Sequence, residues 1–105
     1  MKALSLAYLV LAALLEVGGD AAMRRGLAKH WVWLLIGAAS LVTYGMVVNL
    51  PRWDFNKLMG VYIAVFFVVS QIVAYLAFGN RPNLWVFAGG SLIVIGGLIV
   101  QRGLP

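Results

Sequence analysis

Four long apolar stretches make up most of the 105 residues of this chain. A helix needs about 17 to 25 largely apolar residues to cross the hydrocarbon core of a bilayer, and each stretch has that length. We therefore predict membrane spans at residues 4–22, 31–49, 58–78 and 84–101. The connections are too short for a domain outside the membrane. The sequence thus predicts an all-α integral membrane protein with four transmembrane helices, in a single domain over residues 1–105.

Composition excludes several other classes of protein. With 64% hydrophobic and 10% charged residues, the chain has too little polar surface for a soluble domain of this size. The absence of cysteine excludes disulfides, thiolate catalysis and cysteine metal sites. The single histidine, His30, lies in a predicted connection, where solvation is the usual state. We therefore expect no metal site, no cofactor and no enzymatic activity.

The basic residues stand at the ends of the predicted spans. This distribution indicates contact with lipid headgroups rather than nucleic acid, despite the net charge of +5. One side of the membrane would carry Lys2, Arg52, Lys57 and Arg102, and the other Arg24, Arg25, Lys29 and Arg81. Orientation follows the Lys/Arg asymmetry of short loops, and here the two sides balance, so the chain can insert both ways up and form antiparallel dimers. The unequal flanks of the first span would instead favour one orientation.

Glu16 lies inside the first apolar stretch. A carboxylate at that depth costs roughly 2.5 to 3.5 kcal/mol on insertion scales, and such a residue is by default a functional-site hypothesis. The alternative is a carboxyl group that stays protonated, or pairs with Arg24, and only packs. Arg24 is about 12 Å further along the helix, which argues against that pair. Glu16 is therefore the first candidate for binding a substrate or a proton.

A second acid, Asp20, follows Glu16 by one helical turn. The spacing places both carboxylates on one face about 6 Å apart, and Arg24 continues the same stripe. Asp20 can pair with Arg24 at the water boundary as a structural contact, or it can share protons with Glu16 as a coupled pair. The structural interpretation is favoured, because Asp20 lies close to the membrane surface, where water is available.

The third span carries an aromatic stripe. Tyr62 and Phe66 are four residues apart and share a helical face, which can be turned toward the helix of Glu16. Aromatic rings beside a carboxylate suit an organic cation, through cation–π attraction and charge pairing. Ordinary packing is the alternative, above all for Phe66. Tyr44, in the second span, is a weaker candidate of the same kind.

The fourth span contains two glycine pairs, Gly89 with Gly90 and Gly96 with Gly97. The pairs are seven residues apart and fall on one face, where they permit close approach of another helix. Helices in lipid associate through such faces, so we predict a dimer interface here. Packing within the chain is the alternative.

Several motifs resemble the small multidrug resistance family of the drug/metabolite transporter group. They are Leu15-Glu16-Val17-Gly18-Gly19, Met23-Arg24, the loop Phe78-Gly79-Asn80-Arg81, and the spacing of Gly89 and Gly96. The resemblance implies a multi-pass protein of the bacterial inner membrane that forms an antiparallel homodimer through its fourth span. It further implies proton-coupled efflux of small cationic or amphipathic organic compounds by alternating access, with protons and cations binding in turn at Glu16.

The third span departs from the pattern of that family. The family's Pro-x-Gly-x-Ala-Tyr-Ala-x-Trp run is replaced by residues 54–62, so that Tyr62 stands at the tryptophan position and Met59 at the tyrosine position. Three other functions therefore stay open. They are a small dual-topology ion channel, a subunit of a lipid-linked sugar flippase, and a non-transporting assembly subunit.

Overall fold

The computed structural model describes residues 3–103, which form four α-helices. They are α1 (Ala3–Ala28), α2 (Val32–Val47), α3 (Phe55–Phe78) and α4 (Leu84–Arg102). The prediction of an all-α fold with four apolar helices is confirmed. Lys2, which contributes to the predicted charge balance, lies outside the described residues.

Two helices extend into the predicted connections. α1 continues past residue 22 to Ala28, and α3 begins at Phe55 rather than at residue 58. Met and Arg favour helix, so nothing in residues 23–25 stops α1 at the membrane boundary. The connections 23–30 and 50–57 are therefore partly helical, and Arg24 and Arg25 belong to α1.

The connection between α3 and α4 is defined by two local signals. Gly79 has a φ of 69°, a left-handed conformation that glycine adopts without steric cost, and it ends α3. The Asn83 side chain accepts a hydrogen bond of 2.9 Å from the Val86 backbone N–H and so caps the start of α4. These two residues fix the short turn that returns the chain across the membrane.

α2 is the shortest of the helices. Its 16 residues span about 24 Å, less than the hydrocarbon thickness of about 30 Å, whereas α1, α3 and α4 are each long and apolar enough to cross a membrane. Trp31 and Val48, which flank α2, have helical backbone angles, so the apolar helical segment is slightly longer than α2 itself. Short spans are accommodated by local thinning of the bilayer or by association with neighbouring helices.

The helices form an open layer in the order α2, α1, α3, α4. The backbone of α1 packs against α2 and α3, and α4 packs against α3 alone. The Cα atoms extend over 45 × 34 × 20 Å, a slab rather than a closed bundle. A single copy of the chain therefore leaves long apolar helix faces uncovered, which is where lipid or another chain must contact it.

Small residues bring neighbouring helices together. A Cβ on Gly37 of α2 would lie 2.9 Å from the Gly19 carbonyl oxygen of α1, so the two backbones touch at this point. In the other seam, Gly97 of α4 faces the Cβ of Ala64 on α3. Because apolar side chains gain nothing hydrophobic by leaving lipid, these close contacts supply the packing that holds the layer together.

The buried core lies between α1 and α3. Leu9, Ala12 and Ala13 of α1 are completely buried, and they belong to one cluster with Leu58 and Tyr62 of α3. Tyr62 is only 4% exposed, although its side chain ends in a hydroxyl group. The core thus holds one aromatic residue whose polar end needs a partner, and that partner defines the candidate site.

Candidate functional site

Glu16 and Tyr62 meet at the seam between α1 and α3. The Tyr62 hydroxyl donates a hydrogen bond of 2.7 Å to Glu16 Oε1, joining residues that are 46 positions apart in the sequence. Glu16 is half-buried and Tyr62 is buried. In the described part of the chain this is the only hydrogen bond between side chains of different helices. The acid that the sequence singles out is therefore held by a specific donor.

Three other hydroxyl groups of the spans donate hydrogen bonds within their own helices. Thr43 donates to the Ala39 carbonyl at 2.8 Å, Ser70 to Phe67 at 2.7 Å and Ser91 to Phe87 at 2.7 Å. Such bonds to the preceding turn are the usual way in which Ser and Thr are accommodated in apolar helices. The Tyr62 hydroxyl differs from them because it reaches across a helix interface to a carboxyl group.

Two more aromatic rings extend the site. The Tyr44 ring of α2 is stacked on the Tyr62 ring, with 5.7 Å between centroids and 27° between planes. The Phe66 ring is also a neighbour of Tyr62, with 6.1 Å between the ring centroids and an angle of 49° between the ring planes. Three helices thus contribute to one cluster, which brings together Glu16, Tyr62, Tyr44 and Phe66. Their role in binding stays a prediction.

Asp20 lies one turn from this cluster, and its surroundings differ from those favoured by the sequence. No ion pair within 4.0 Å joins Asp20 to Arg24 or to another basic residue between positions 3 and 103. The Arg24 guanidinium instead lies over the Phe78 ring of α3, 5.7 Å from its centroid. The predicted structural pair is therefore wrong. Arg24 takes a tertiary cation–π contact in preference to its helical neighbour.

A cavity of about 230 Å³ opens beside Asp20, between α1 and α3. Asp20, Arg24, Phe66 and Asn80 are among its lining residues. Phe66 belongs both to this cavity and to the aromatic cluster around Tyr62. The cavity could not be predicted from the sequence, because Phe78, at the end of α3, and Asn80, in the turn after it, meet α1 only in the folded chain.

The four glycines of the predicted dimer face of α4 fall into two groups with different surroundings. Gly90 faces the Phe67 ring and Gly97 faces Ala64, so the small size of both is explained by packing against α3 within the chain. A Cβ on Gly89 or Gly96 would have no atom within 4 Å. The prediction is therefore corrected for Gly90 and Gly97. For Gly89 and Gly96, a role in dimer contact stays a prediction.

No group of three or more histidine, aspartate or glutamate side chains is placed to hold a metal ion between residues 3 and 103. The chemistry of the described site therefore consists of one carboxyl group, one phenolic donor and aromatic faces. These groups can bind a proton or a cation. Nothing in this set resembles a nucleophile with its activating base.

Curated relatives of the chain are bacterial proteins called UPF0060 membrane protein. The protein of Rhodococcus erythropolis is 35% identical over 95 residues, which are 88% of each chain, and that of Rhodococcus jostii is 34% identical over 100 residues, or 92% of each. The protein of Streptomyces avermitilis is 35% identical over 104 residues, covering 96% of this chain and 92% of the relative. This chain belongs to the UPF0060 family. Its UPF0060 relatives match it over nearly the whole length, so all four helices are part of the shared unit.

Membership of the UPF0060 family agrees with the apolar helices in assigning a multi-pass bacterial membrane protein. No family model matches the chain. No solved structure matches it either.

Proposed function

We propose that this UPF0060 protein is a proton-coupled transporter that exports small cationic or amphipathic organic compounds by alternating access at Glu16. The observation that carries the proposal is the 2.7 Å hydrogen bond between Glu16 and Tyr62 within a membrane helix seam. An intramembrane acid that is costly to bury, yet held by a dedicated donor, is an expected feature of an ion or proton pathway.

The coupling follows from the chemistry of the carboxyl group. A carboxyl group holds a proton in its neutral form and can pair with a cation in its ionised form. A cation stabilises the ionised form and excludes the proton. The rings of Tyr44, Tyr62 and Phe66 offer faces that attract a cation by their quadrupoles. Because proton and cation compete for one group, binding of either from one side of the membrane promotes release of the other.

A homodimer is part of the proposal. One copy is an open layer in which α4 packs against a single helix. Such a layer has too few helices to surround a site that opens to the two sides of the membrane in turn. The resemblance to the small multidrug resistance family and the balanced Lys/Arg distribution support an antiparallel arrangement. In it, the open positions Gly89 and Gly96 of α4 would form the contact between the chains.

Proton release on cation binding tests the function directly. Detergent-purified protein in weakly buffered solution is mixed with tetraethylammonium, and the released protons are measured with a pH indicator. We expect release that saturates with the cation in the unmodified chain and is absent from Glu16→Gln, which keeps the size of the side chain and removes its titration.

The matched control is Asp54→Asn. Asp54 is an exposed acid outside the predicted spans, 3.8 Å from Lys57 Nζ, and its replacement should leave proton release unchanged. Equal release from Glu16→Gln and the unmodified chain would contradict the proposal, as would cation binding that releases no proton in either.

A second candidate is a subunit of a lipid-linked sugar flippase. It is favoured by an open apolar groove of about 370 Å³ that runs between α3 and α4. Val68 and Val94 are among the residues that line it. This function predicts a stable complex with a second, different membrane chain and no cation-dependent proton release. The remaining alternative, a small dual-topology ion channel, predicts a conductance across planar bilayers without proton coupling.

A further inference from the structure

The cavity beside Asp20 contains charged groups of both signs. Asp20 and Arg24 of α1 line it, together with Ser70 and Asn80 on the side of α3. Its volume of about 230 Å³ is below the range of roughly 300 to 1,000 Å³ that is usual for drug-sized ligands. A ligand of this cavity must therefore be compact, and it must be compatible with a carboxylate and a guanidinium at once.

Asp20 and Arg24 do not form an ion pair in the described structure. Their spacing of four residues permits an ion pair on the helix surface, yet none is formed within 4.0 Å. Arg24 is instead held by the Phe78 ring at 5.7 Å, which keeps its guanidinium at the cavity. Two opposite charges thus line one small space without pairing with each other.

This arrangement discriminates between ligands by charge. A simple cation gains from Asp20 but is repelled by Arg24, and a simple anion meets the reverse. A compound that carries both charges can place each group beside its opposite, so that attraction operates at both ends and repulsion at neither. The electrostatic pattern of the cavity therefore matches a zwitterion better than a cation of equal size.

We propose that the cavity between α1 and α3 binds a small zwitterionic compound, with its ammonium group at Asp20 and its carboxylate at Arg24. The guanidinium suits a carboxylate because its planar set of N–H donors can bind both oxygens. The Phe66 ring adds an aromatic face that can contact the ammonium group.

The cavity adjoins the Glu16 site through Phe66, whose ring lies 6.1 Å from that of Tyr62. Only this connection rests on the proposed function. If Glu16 exchanges protons for cations, an ammonium group held at Asp20 lies about one helical turn from the next carboxylate. The cavity is then the place where a zwitterionic substrate binds before its ammonium group reaches Glu16.

Binding of matched test compounds decides the inference. γ-Aminobutyrate and n-butylamine share an ammonium group and a carbon chain, and differ in a carboxylate against a methyl group. Their dissociation constants are measured by saturation-transfer NMR on the full chain in detergent. We expect γ-aminobutyrate to bind about tenfold more tightly, since one hydrogen-bonded charge pair contributes enough for that factor. Arg24→Gln should abolish the preference, and Arg24→Lys, which keeps the charge, should retain part of it.

Arg25→Gln is the matched control. Arg25 does not line this cavity, and its guanidinium lies 5.1 Å from the Trp33 ring, so the preference should persist in that variant. Equal or weaker binding of γ-aminobutyrate than of n-butylamine to the unmodified chain would overturn the inference. So would an unchanged preference in Arg24→Gln that elutes as a folded protein in size-exclusion chromatography.

The outcome is separable from that of the proposed function. Glu16→Gln should keep the preference for γ-aminobutyrate, because the preference depends on Asp20 and Arg24. Proton release by tetraethylammonium without a zwitterion preference would leave the transporter proposal standing and refute this inference. The preference without proton release would refute proton coupling at Glu16 and leave the zwitterion site standing.

Discussion

At the scale of single residues, the Tyr62 hydroxyl is the hydrogen-bond donor to the Glu16 carboxyl group. The ring is buried in the α1–α3 core and would pack equally well as phenylalanine, but its hydroxyl reaches Glu16 Oε1 at 2.7 Å. A hydrogen bond to an ionised group contributes about 1.5 to 3 kcal/mol. In the proposed transporter, Tyr62 therefore stabilises the ionised form of Glu16, which binds the cation, while its ring forms part of the binding site.

Replacing Tyr62 by Phe separates these two contributions. The ring should still stack on Tyr44, and the chain should fold, whereas the ionised carboxylate loses its donor. We expect the affinity for tetraethylammonium to fall by about tenfold, the factor that corresponds to 1.4 kcal/mol. The affinity is measured from the cation concentration at half-maximal proton release. An unchanged midpoint in Tyr62→Phe would mean that the hydrogen bond plays no part in binding.

Tyr75→Phe is the control for the loss of a phenol. Tyr75 is an exposed residue near the end of α3, with the Arg81 guanidinium 5.9 Å from its ring. Because it lies outside the aromatic cluster, its replacement should leave the midpoint of proton release unchanged.

The sequence predicted the members of the cluster better than their contacts. Burial of a carboxylate among apolar residues is visible in the sequence, and so is the shared face of Tyr62 and Phe66. The pairing of Asp20 with Arg24 was predicted wrongly. Helical spacing only permits that pair, and the competing contact with Phe78 exists only after α3 has packed beside α1. Local spacing cannot rank a neighbour in sequence against one that folding supplies.

At the scale of elements, α4 has two different faces. Adjacent residues of a helix point about 100° apart, so Gly90 and Gly97 face α3 while Gly89 and Gly96 point elsewhere. The sequence could not assign the two members of each pair. Both are glycine, and the direction of α3 is set by the folded chain.

This division predicts different results for neighbouring substitutions. In Gly97→Leu the new side chain meets Ala64 and must push α4 away from α3, so we expect lower thermal stability of the individual chain. In Gly96→Leu the chain itself should fold normally, because nothing lies within 4 Å, but the proposed dimer should be lost. Thermal unfolding in detergent measures the first effect, and crosslinking in membranes measures the second.

Proton coupling should also be lost in Gly96→Leu, although Glu16 is untouched, because the proposed site needs two chains. Gly45→Leu is a control on another helix, since a Cβ on Gly45 also meets no atom within 4 Å. Dimers of normal activity in Gly96→Leu would show that the contact between chains lies on another face.

The helix bounds show where prediction from hydropathy stops. Apolar stretches locate the part of a helix that lies in lipid, and they carry no information on how far the helix continues into water. α1 therefore extends to Ala28, beyond its predicted span. α2 shows the opposite effect, because its 16 residues are fewer than the apolar stretch that contains them. Val48 and Asn49 form a turn after α2, and Pro51 disfavours helix at Leu50.

At the scale of the whole molecule, the sequence predicts equal numbers of Lys and Arg residues on the two membrane faces, and the described residues among them make different contacts. On one face, Arg24, Arg25 and Arg81 each lie over an aromatic ring, at 5.7, 5.1 and 5.9 Å. On the other, Lys57 donates a hydrogen bond of 3.1 Å to the Gly103 carbonyl. Orientation responds to the number of such charges near the membrane rather than to their contacts, so the balance predicts no preferred orientation.

Dual topology can be tested with reporters fused to the C-terminus, one active in the cytoplasm and one active outside it. We expect both reporters to give signal with the unmodified chain, because four Lys/Arg residues fall on each side. Two lysines added after Arg102 should shift the signal toward the cytoplasmic reporter, and two added beside Arg81 should shift it the other way. Two glutamines at the same places are the matched control, and they should leave the signals of both reporters unchanged.

Signal from a single reporter with the unmodified chain would mean that the first span and its unequal flanks fix the orientation. An antiparallel homodimer would then be impossible, and the open layer would have to be completed by a parallel copy or by a different chain.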